Sequence, residues 1–138
     1  MTERQLLSEF LKQFGREHPD IFYHKEADVY GGAKKPYDWY FIYKGKHFAI
    51  EAKRDNGKVE QHQKEALTKV AASGGSAWVM RFNEKPKRVI FLPFKEMQEQ
   101  PAYIYLHWWR GWDGIYKIPM LLNYEAPFCE RMDRGVKA

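Results

Sequence analysis

Hydrophobic and polar positions along the chain predict two helices and five strands. Residues 2–16 place apolar side chains on one face at helical spacing, with Thr2 as a possible N-cap; these side chains are Leu6, Leu7, Phe10, Leu11 and Phe14. A second helix is predicted over 59–72, before Gly74-Gly75. Apolar or alternating runs predict strands over 21–24, 38–43, 46–53, 76–82 and 88–92. Pro93 is expected to open a further short helix that ends near Gln100.

The order α-β-β-β-α-β-β predicts a single mixed α/β domain. The length of 138 residues agrees with one domain, which we expect to span 1–130 and to be followed by a mobile tail over 131–138. The region after residue 100 is rich in aromatic side chains and has no clear periodicity. Its tryptophans, Trp108, Trp109 and Trp112, are interpreted as a lid on the core, with base stacking or a subunit contact as alternatives.

Composition narrows the class of protein. The hydrophobic fraction is 44% and the charged fraction 30%, which is typical of a soluble globular domain. A net charge of +5 favours a polyanionic partner such as nucleic acid, although a basic surface also serves solubility alone. The single cysteine, Cys129, excludes an intrachain disulfide and a cysteine-based zinc site. No membrane-spanning run or signal-peptide core is present, so we expect a cytoplasmic protein, in a bacterium or a phage-infected host.

The candidate chemistry lies on the predicted hairpin. If Lys44 and Gly45 form a two-residue turn, Asp38 falls directly opposite Glu51, and Lys53 follows on the same face. Two carboxylates about 5 Å apart repel each other unless a cation lies between them. Paired acids beside a lysine therefore predict a Mg²⁺ site for phosphodiester chemistry. The alternative is a pair of exposed acids that nearby lysines neutralise.

Two further polar residues lie on the inner faces of the predicted helices. Gln63 is at the centre of the apolar stripe of the second helix, so it either supports the site or is a satisfied core glutamine. Glu3 is aligned with Leu7 and Phe10 on the first helix. It is either a third carboxylate of the site or a favourable acid in a first helical turn.

Basic residues close to the acids in sequence are candidate contacts to DNA phosphates. They are Lys34, Lys35, Lys44, Lys46 and Arg54. Each of them taken alone is better explained as solvated surface, and the interest lies in their clustering before Asp38 and in the adjoining turn.

These motifs resemble the PD-(D/E)xK nuclease superfamily, and more narrowly the Holliday-junction resolvases of the RecU type and their archaeal, Hjc-like relatives. The resemblance covers about residues 37–95. It is carried by Tyr37-Asp38, Tyr43-Lys44-Gly45-Lys46, Glu51-Ala52-Lys53, His62-Gln63, and Gly74-Gly75 before a strand.

The resemblance implies a restriction-endonuclease-like fold and a homodimer that cuts four-way DNA junctions by paired, symmetric nicks in recombination and repair. Asp38 and Glu51 would bind Mg²⁺, with Mn²⁺ as a substitute, together with Ala52 through its carbonyl and with Glu3. Lys53 would be catalytic and Gln63 would support it. A flap, single-strand or restriction-type nuclease of this superfamily, a nuclease that acts on RNA, and a non-catalytic DNA-binding protein stay open as alternatives.

Overall fold

Two helices cover opposite faces of a seven-stranded sheet in the computed structural model, which describes residues 2–27, 34–84 and 88–100 and the backbone of 104–106. The elements follow in the order α1 (Glu3–Glu17), β1 (Phe22–Lys25), β2 (Trp39–Tyr43), β3 (Lys46–Arg54), α2 (Gln61–Ala72), β4 (Ser76–Asn83), β5 (Arg88–Lys95), β6 (Gln98–Glu99) and β7 (Ile104–Leu106). The predicted α-β-β-β-α-β-β order is therefore confirmed, and two short strands extend it.

The strands are ordered β1-β2-β3-β4-β5-β6, and β7 also pairs with β5. All the pairs are antiparallel except β3 with β4, which are parallel because α2 forms the crossover between them. The central position of β3 buries six consecutive residues, Phe48 to Lys53. This position explains why a short stretch with two charged residues is nevertheless inaccessible.

Side chains of β3 alternate between two hydrophobic clusters. Phe48, Ile50 and Ala52 belong to the larger cluster, to which α1 contributes apolar side chains such as Phe10. Ala49 belongs to the smaller cluster on the other face, to which α2 contributes Leu67. By the same alternation Glu51 and Lys53 point to the α2 face of the sheet.

Local sequence signals account for both the first helix and the hairpin. A reciprocal capping box starts α1: the Gln5 N–H donates to Thr2 Oγ1 at 3.1 Å, and the Thr2 N–H donates to Gln5 Oε1 at 2.8 Å. The β2–β3 turn consists of Lys44 and Gly45 with φ of 49° and 80°, which is the backbone conformation of a type I′ hairpin turn. The predicted register, with Tyr43 opposite Lys46, is confirmed.

The predicted short helix after Pro93 is wrong. Pro93 lies inside β5, opposite Trp78 of β4, and the chain then turns at Glu96 and Met97 into β6. Both turn residues have positive φ, 54° and 65°, although neither is a residue type that favours this conformation. The sequence therefore lacks the usual turn signal, and the proline suggested a helix start in its place.

Two expectations fall on parts of the chain that the structure does not describe. The side chains of the aromatic segment after residue 100 and the tail over 131–138 both lie outside the described residues. Within the described part, neither helix is both long and apolar enough to cross a membrane.

Candidate active site

Asp38 and Glu51 are held side by side where the β2–β3 hairpin opens. The Asp38 N–H donates to the Ile50 carbonyl at 3.1 Å, one residue off the regular pairing of Trp39 with Ile50, and this bond ties Asp38 to β3 beyond the end of β2. The Asp38 side chain is fixed as well, because its Oδ2 accepts a hydrogen bond of 2.8 Å from the Ala52 N–H. Only 7% of Asp38 and 1% of Glu51 is exposed. The predicted pairing of two acids is thus present, and it is buried.

One oxygen of Glu51 has two donors and the other has none among the described residues. Oε2 accepts from Gln63 Nε2 at 2.7 Å and lies 3.3 Å from the Lys53 ammonium. Oε1 is buried without a hydrogen-bond partner. Two ionised carboxylates offer each other only acceptors, so a proton on Glu51 or a cation between Glu51 and Asp38 is needed to remove this conflict.

The titration of Glu51 reflects this environment. Its pKa is raised to about 9, chiefly by burial and then by the negative charge of Asp38, and the Lys53 ammonium only partly opposes the rise. Without a bound cation, Glu51 is therefore neutral at pH 7. A carboxyl kept neutral by a neighbouring acid is a costly arrangement for a purely structural position, and such groups concentrate at functional sites.

Gln63 links helix α2 to the acids. Its Oε1 accepts from the Glu60 N–H at 2.9 Å, and this bond orients the amide so that Nε2 points to Glu51. Gln63 is 5% exposed, as its place in the apolar stripe predicts. Both interpretations of this residue hold in part, since it is a satisfied core glutamine whose partner belongs to the site.

Glu3 and Lys35 approach Asp38 from the α1 side, where all three line one open cleft. Burial and then the charge of Asp38 raise the pKa of Glu3, whereas Lys53 and a hydrogen bond from the Arg54 backbone N–H lower it. Glu3 therefore lies near Asp38, and its role as a third carboxylate stays a prediction. Lys35 Nζ lies 2.8 Å from Asp38 Oδ1, so this predicted DNA contact is an ion-pair partner of the site in the protein alone.

The other predicted DNA contacts are more distant or already paired. Lys44 lies in the hairpin turn and Lys46 follows it. Lys46 pairs with Tyr43, five residues along the chain from Asp38, which is about 17 Å at about 3.3 Å per residue. Lys34 is exposed next to Lys35. Arg54 donates to Glu84 at 2.8 Å. The structure therefore brings only Lys35 of this set into contact with the acids.

Sequence reasoning missed a polar cluster next to Lys53. Arg81 of β4 is the register partner of Lys53 and binds Glu99 of β6 through Nε and Nη2, at 2.8 and 3.0 Å. Its Nη1 donates to the carbonyls of Asp55 and Gly57. A charged residue within the otherwise apolar run 76–82 was the available signal.

No three His, Cys, Asp or Glu side chains within residues 2–27, 34–84 and 88–100 form a ready metal-binding group. Among these residues two ammonium groups lie against the acids, Lys35 at Asp38 and Lys53 at Glu51. Ala52 contributes its N–H to Asp38, and the ligand role predicted for its carbonyl stays a prediction.

Comparison with known proteins finds similarity among solved structures. No protein-family model matches the chain, and no curated protein does. Among solved structures, the chain is similar to Hjc, a Holliday junction resolvase from the archaeal hyperthermophile Archaeoglobus fulgidus. The two are 25% identical, and the match covers 66% of this chain and 72% of that chain with a TM-score of 0.44. This is the type of protein that the sequence motifs resemble.

Proposed function

We propose that the protein is a divalent-metal-dependent endonuclease that resolves four-way DNA junctions. The observation that carries the proposal is that four polar side chains come together: Asp38, Glu51, Lys53 and Gln63. Glu51 contacts Gln63 at 2.7 Å and Lys53 at 3.3 Å, and Asp38 is held by the Ala52 N–H. The junction as substrate, the homodimer and a phage origin rest on the motif resemblance. The net charge of +5 agrees with a nucleic-acid substrate.

The residues fit a hard divalent cation. Oxygen ligands suit Mg²⁺ or Mn²⁺, and the donorless Glu51 Oε1 beside Asp38 is an acceptor that such a cation would satisfy. Asp38 and Glu51 would hold the ion, with Glu3 and the Ala52 carbonyl as further ligands. When bound, Mg²⁺ supplies Lewis-acid activation of water and balances charge at the phosphate.

The protein's own residues have separate roles in binding and catalysis. Asp38 is oriented by the Ala52 N–H, and Glu51 by the Gln63 amide, so both carboxylates are fixed before DNA arrives. Lys53 is 9% exposed and lies beside Glu51, from where its ammonium can contact a phosphate oxygen or orient the attacking water. Hydrolysis of the phosphodiester bond breaks the P–O3′ bond and leaves a 5′-phosphate, as the resemblance implies.

A cleavage panel tests the proposal. Labelled four-way junction, linear duplex, flap, single-stranded DNA and RNA are each incubated with the protein in Mg²⁺ or in EDTA. We expect paired symmetric nicks in the junction alone, and none in EDTA. Asp38→Asn should bind the junction as the unmodified protein does and should not cut it, because the substitution removes a charged ligand and keeps the side-chain shape.

Other outcomes of the panel contradict specific parts of the proposal. Cutting of flaps, single strands or RNA, with the junction intact, would refute the substrate and keep the active site. Binding without cutting in Mg²⁺ and in Mn²⁺ would refute the enzyme. Nicking by Asp38→Asn at the unmodified rate would refute the site.

A further inference from the structure

Arg81 is a half-buried cation that the proposed chemistry does not use. It lies on β4 directly beside Lys53 of β3, and its side chain is 16% exposed. Its side chain makes four hydrogen bonds within the described part of the chain, two to the Glu99 carboxylate and two to backbone carbonyls. Since its charge is already balanced by Glu99, Arg81 is poorly suited to bind a DNA phosphate itself.

The two backbone carbonyls belong to the turn that follows β3. Arg81 Nη1 donates to Asp55 O at 2.9 Å and to Gly57 O at 2.7 Å. Asp55 has a φ of 50°, in the left-handed region that non-glycine residues rarely adopt. A strained backbone conformation persists where the surrounding structure holds it, and Arg81 Nη1 holds this turn by two hydrogen bonds.

The same turn faces the stem of Lys53. A Cβ placed on Gly57 would come into van der Waals contact with Lys53 Cδ at 3.6 Å and Lys53 Cβ at 3.7 Å, so the open side of this glycine lies next to these methylenes. On the other side of its stem, Lys53 reaches Glu51 with its ammonium at 3.3 Å. The direction of the Lys53 side chain therefore depends on where the turn is held.

From this chain of contacts we infer that Arg81 is a positioning residue for Lys53, acting through the turn of Asp55 to Gly57. Glu99 occupies Nε and Nη2 and so directs Nη1 to the turn. A lysine at position 81 cannot reproduce this, because a single ammonium lacks the planar fork that binds a carboxylate and two carbonyls at once. The inference rests on the proposed function, in which Lys53 contacts the reacting phosphate or water.

The first test separates chemistry from DNA binding. Kinetics with Mg²⁺ and junction DNA are measured for Arg81→Lys and Arg81→Met, with the exposed Arg16→Met as the matched control. We expect kcat to fall about 10- to 100-fold in both Arg81 variants, the size of effect expected from a misplaced catalytic group, with KM within about twofold of the unmodified value. Glu99→Gln keeps one of the two acceptors for Arg81 and loses the other, so kcat should fall less than in Arg81→Met.

The second test does not depend on activity. Lys53 is labelled in the metal-free protein with an amine-reactive reagent and quantified by mass spectrometry, with the exposed Lys69 as internal reference. Release of the turn should make the Lys53 side chain more accessible, so labelling of Lys53 should rise several-fold in Arg81→Lys and stay unchanged in Arg16→Met.

These readouts distinguish failure of the inference from failure of the proposed function. If the unmodified protein cuts no nucleic acid, the proposed function fails, and the labelling result still decides whether Arg81 positions Lys53. If the protein cuts and Arg81→Lys keeps its kcat and its labelling rate, the inference is overturned. A raised KM with unchanged kcat would also overturn it, because Arg81 would then be a DNA contact. Should Arg81→Met fail to fold, Arg81→Lys decides the outcome.

Discussion

Replacing Glu51 by glutamine should stabilise the metal-free protein at neutral and alkaline pH. The pKa of Glu51 is about 9 in the folded protein against an ordinary value of 4.5. Between these two values the folded chain binds a proton that the unfolded chain does not. The stabilisation from this proton is fully present below about pH 4.5 and is lost as pH rises towards 9. Glutamine mimics the protonated acid at every pH.

The magnitude follows from the linkage relation. One fully bound proton changes the free energy of unfolding by about 1.4 kcal/mol per pH unit, so Glu51 alone costs up to about 3 kcal/mol between pH 5 and pH 7. Sharing of the proton with Asp38 reduces this, and we expect roughly 1.5 to 3 kcal/mol. The amide of glutamine keeps the contacts, since its oxygen accepts from Gln63 and its NH₂ donates to Asp38.

Urea unfolding followed by tryptophan fluorescence in EDTA, at pH 5 to pH 8, measures the effect. The free energy of unfolding of Glu51→Gln minus that of the unmodified protein should grow with pH. Taking the difference cancels the other titrating groups. Glu9→Gln, at an exposed position of α1, is the matched control and should give a flat difference. A flat difference for Glu51→Gln as well would refute the reasoning, because it would mean that Glu51 ionises normally in the folded protein.

Two further predictions concern the same site. Mg²⁺ at pH 8 should raise the Tm measured by calorimetry, and the rise should saturate with Mg²⁺ concentration. At 100 times Kd the added stability should be about 2.7 kcal/mol. Asp38→Asn should show no such rise, and equal shifts in both proteins would place the ion elsewhere. Gln63→Leu should lose about 1 to 3 kcal/mol of stability in urea, because the Glu60 N–H and Glu51 each lose a buried partner. The exposed Gln61→Leu is its control, and an equal loss in both variants would show that the Gln63 bonds contribute nothing.

The hairpin was predictable because local chemistry determines it. A glycine at the turn fixes the loop length, loop length fixes the register, and the register pairs Trp39 with Ile50, which brings the next residues, Asp38 and Glu51, close together. Gln63 was predictable for a similar reason, since a helical wheel gives the direction of a side chain once the apolar stripe is known. Both inferences use spacing within one element or one hairpin.

Contacts between residues far apart in the chain could not be predicted from the sequence. The ties from Arg81 to Glu99 and to the turn after β3 join three separated segments, and no local pattern pairs them. The turn at Glu96 and Met97 was missed because tertiary pairing of β5 with β6 imposes positive φ on residues that do not favour it. The ion pair between Lys35 and Asp38 was also missed, because these residues lie outside regular secondary structure and no periodicity gives the direction of their side chains. Lys35 was therefore predicted to contact DNA.

The burial of Glu51 makes its position unfavourable for stability and useful for chemistry. An acid with 1% exposure beside a second acid is retained at the cost of stability at neutral pH, whereas a glutamine would make the same hydrogen bonds without that cost. Gln63 and Lys53 both contact Oε2 of Glu51, and the turn tied by Arg81 faces the Lys53 stem. Oε1 is left without a donor among the described residues, so these contacts hold the carboxyl in place without completing its hydrogen bonding, which agrees with the proposed function, in which a cation lies between Glu51 and Asp38.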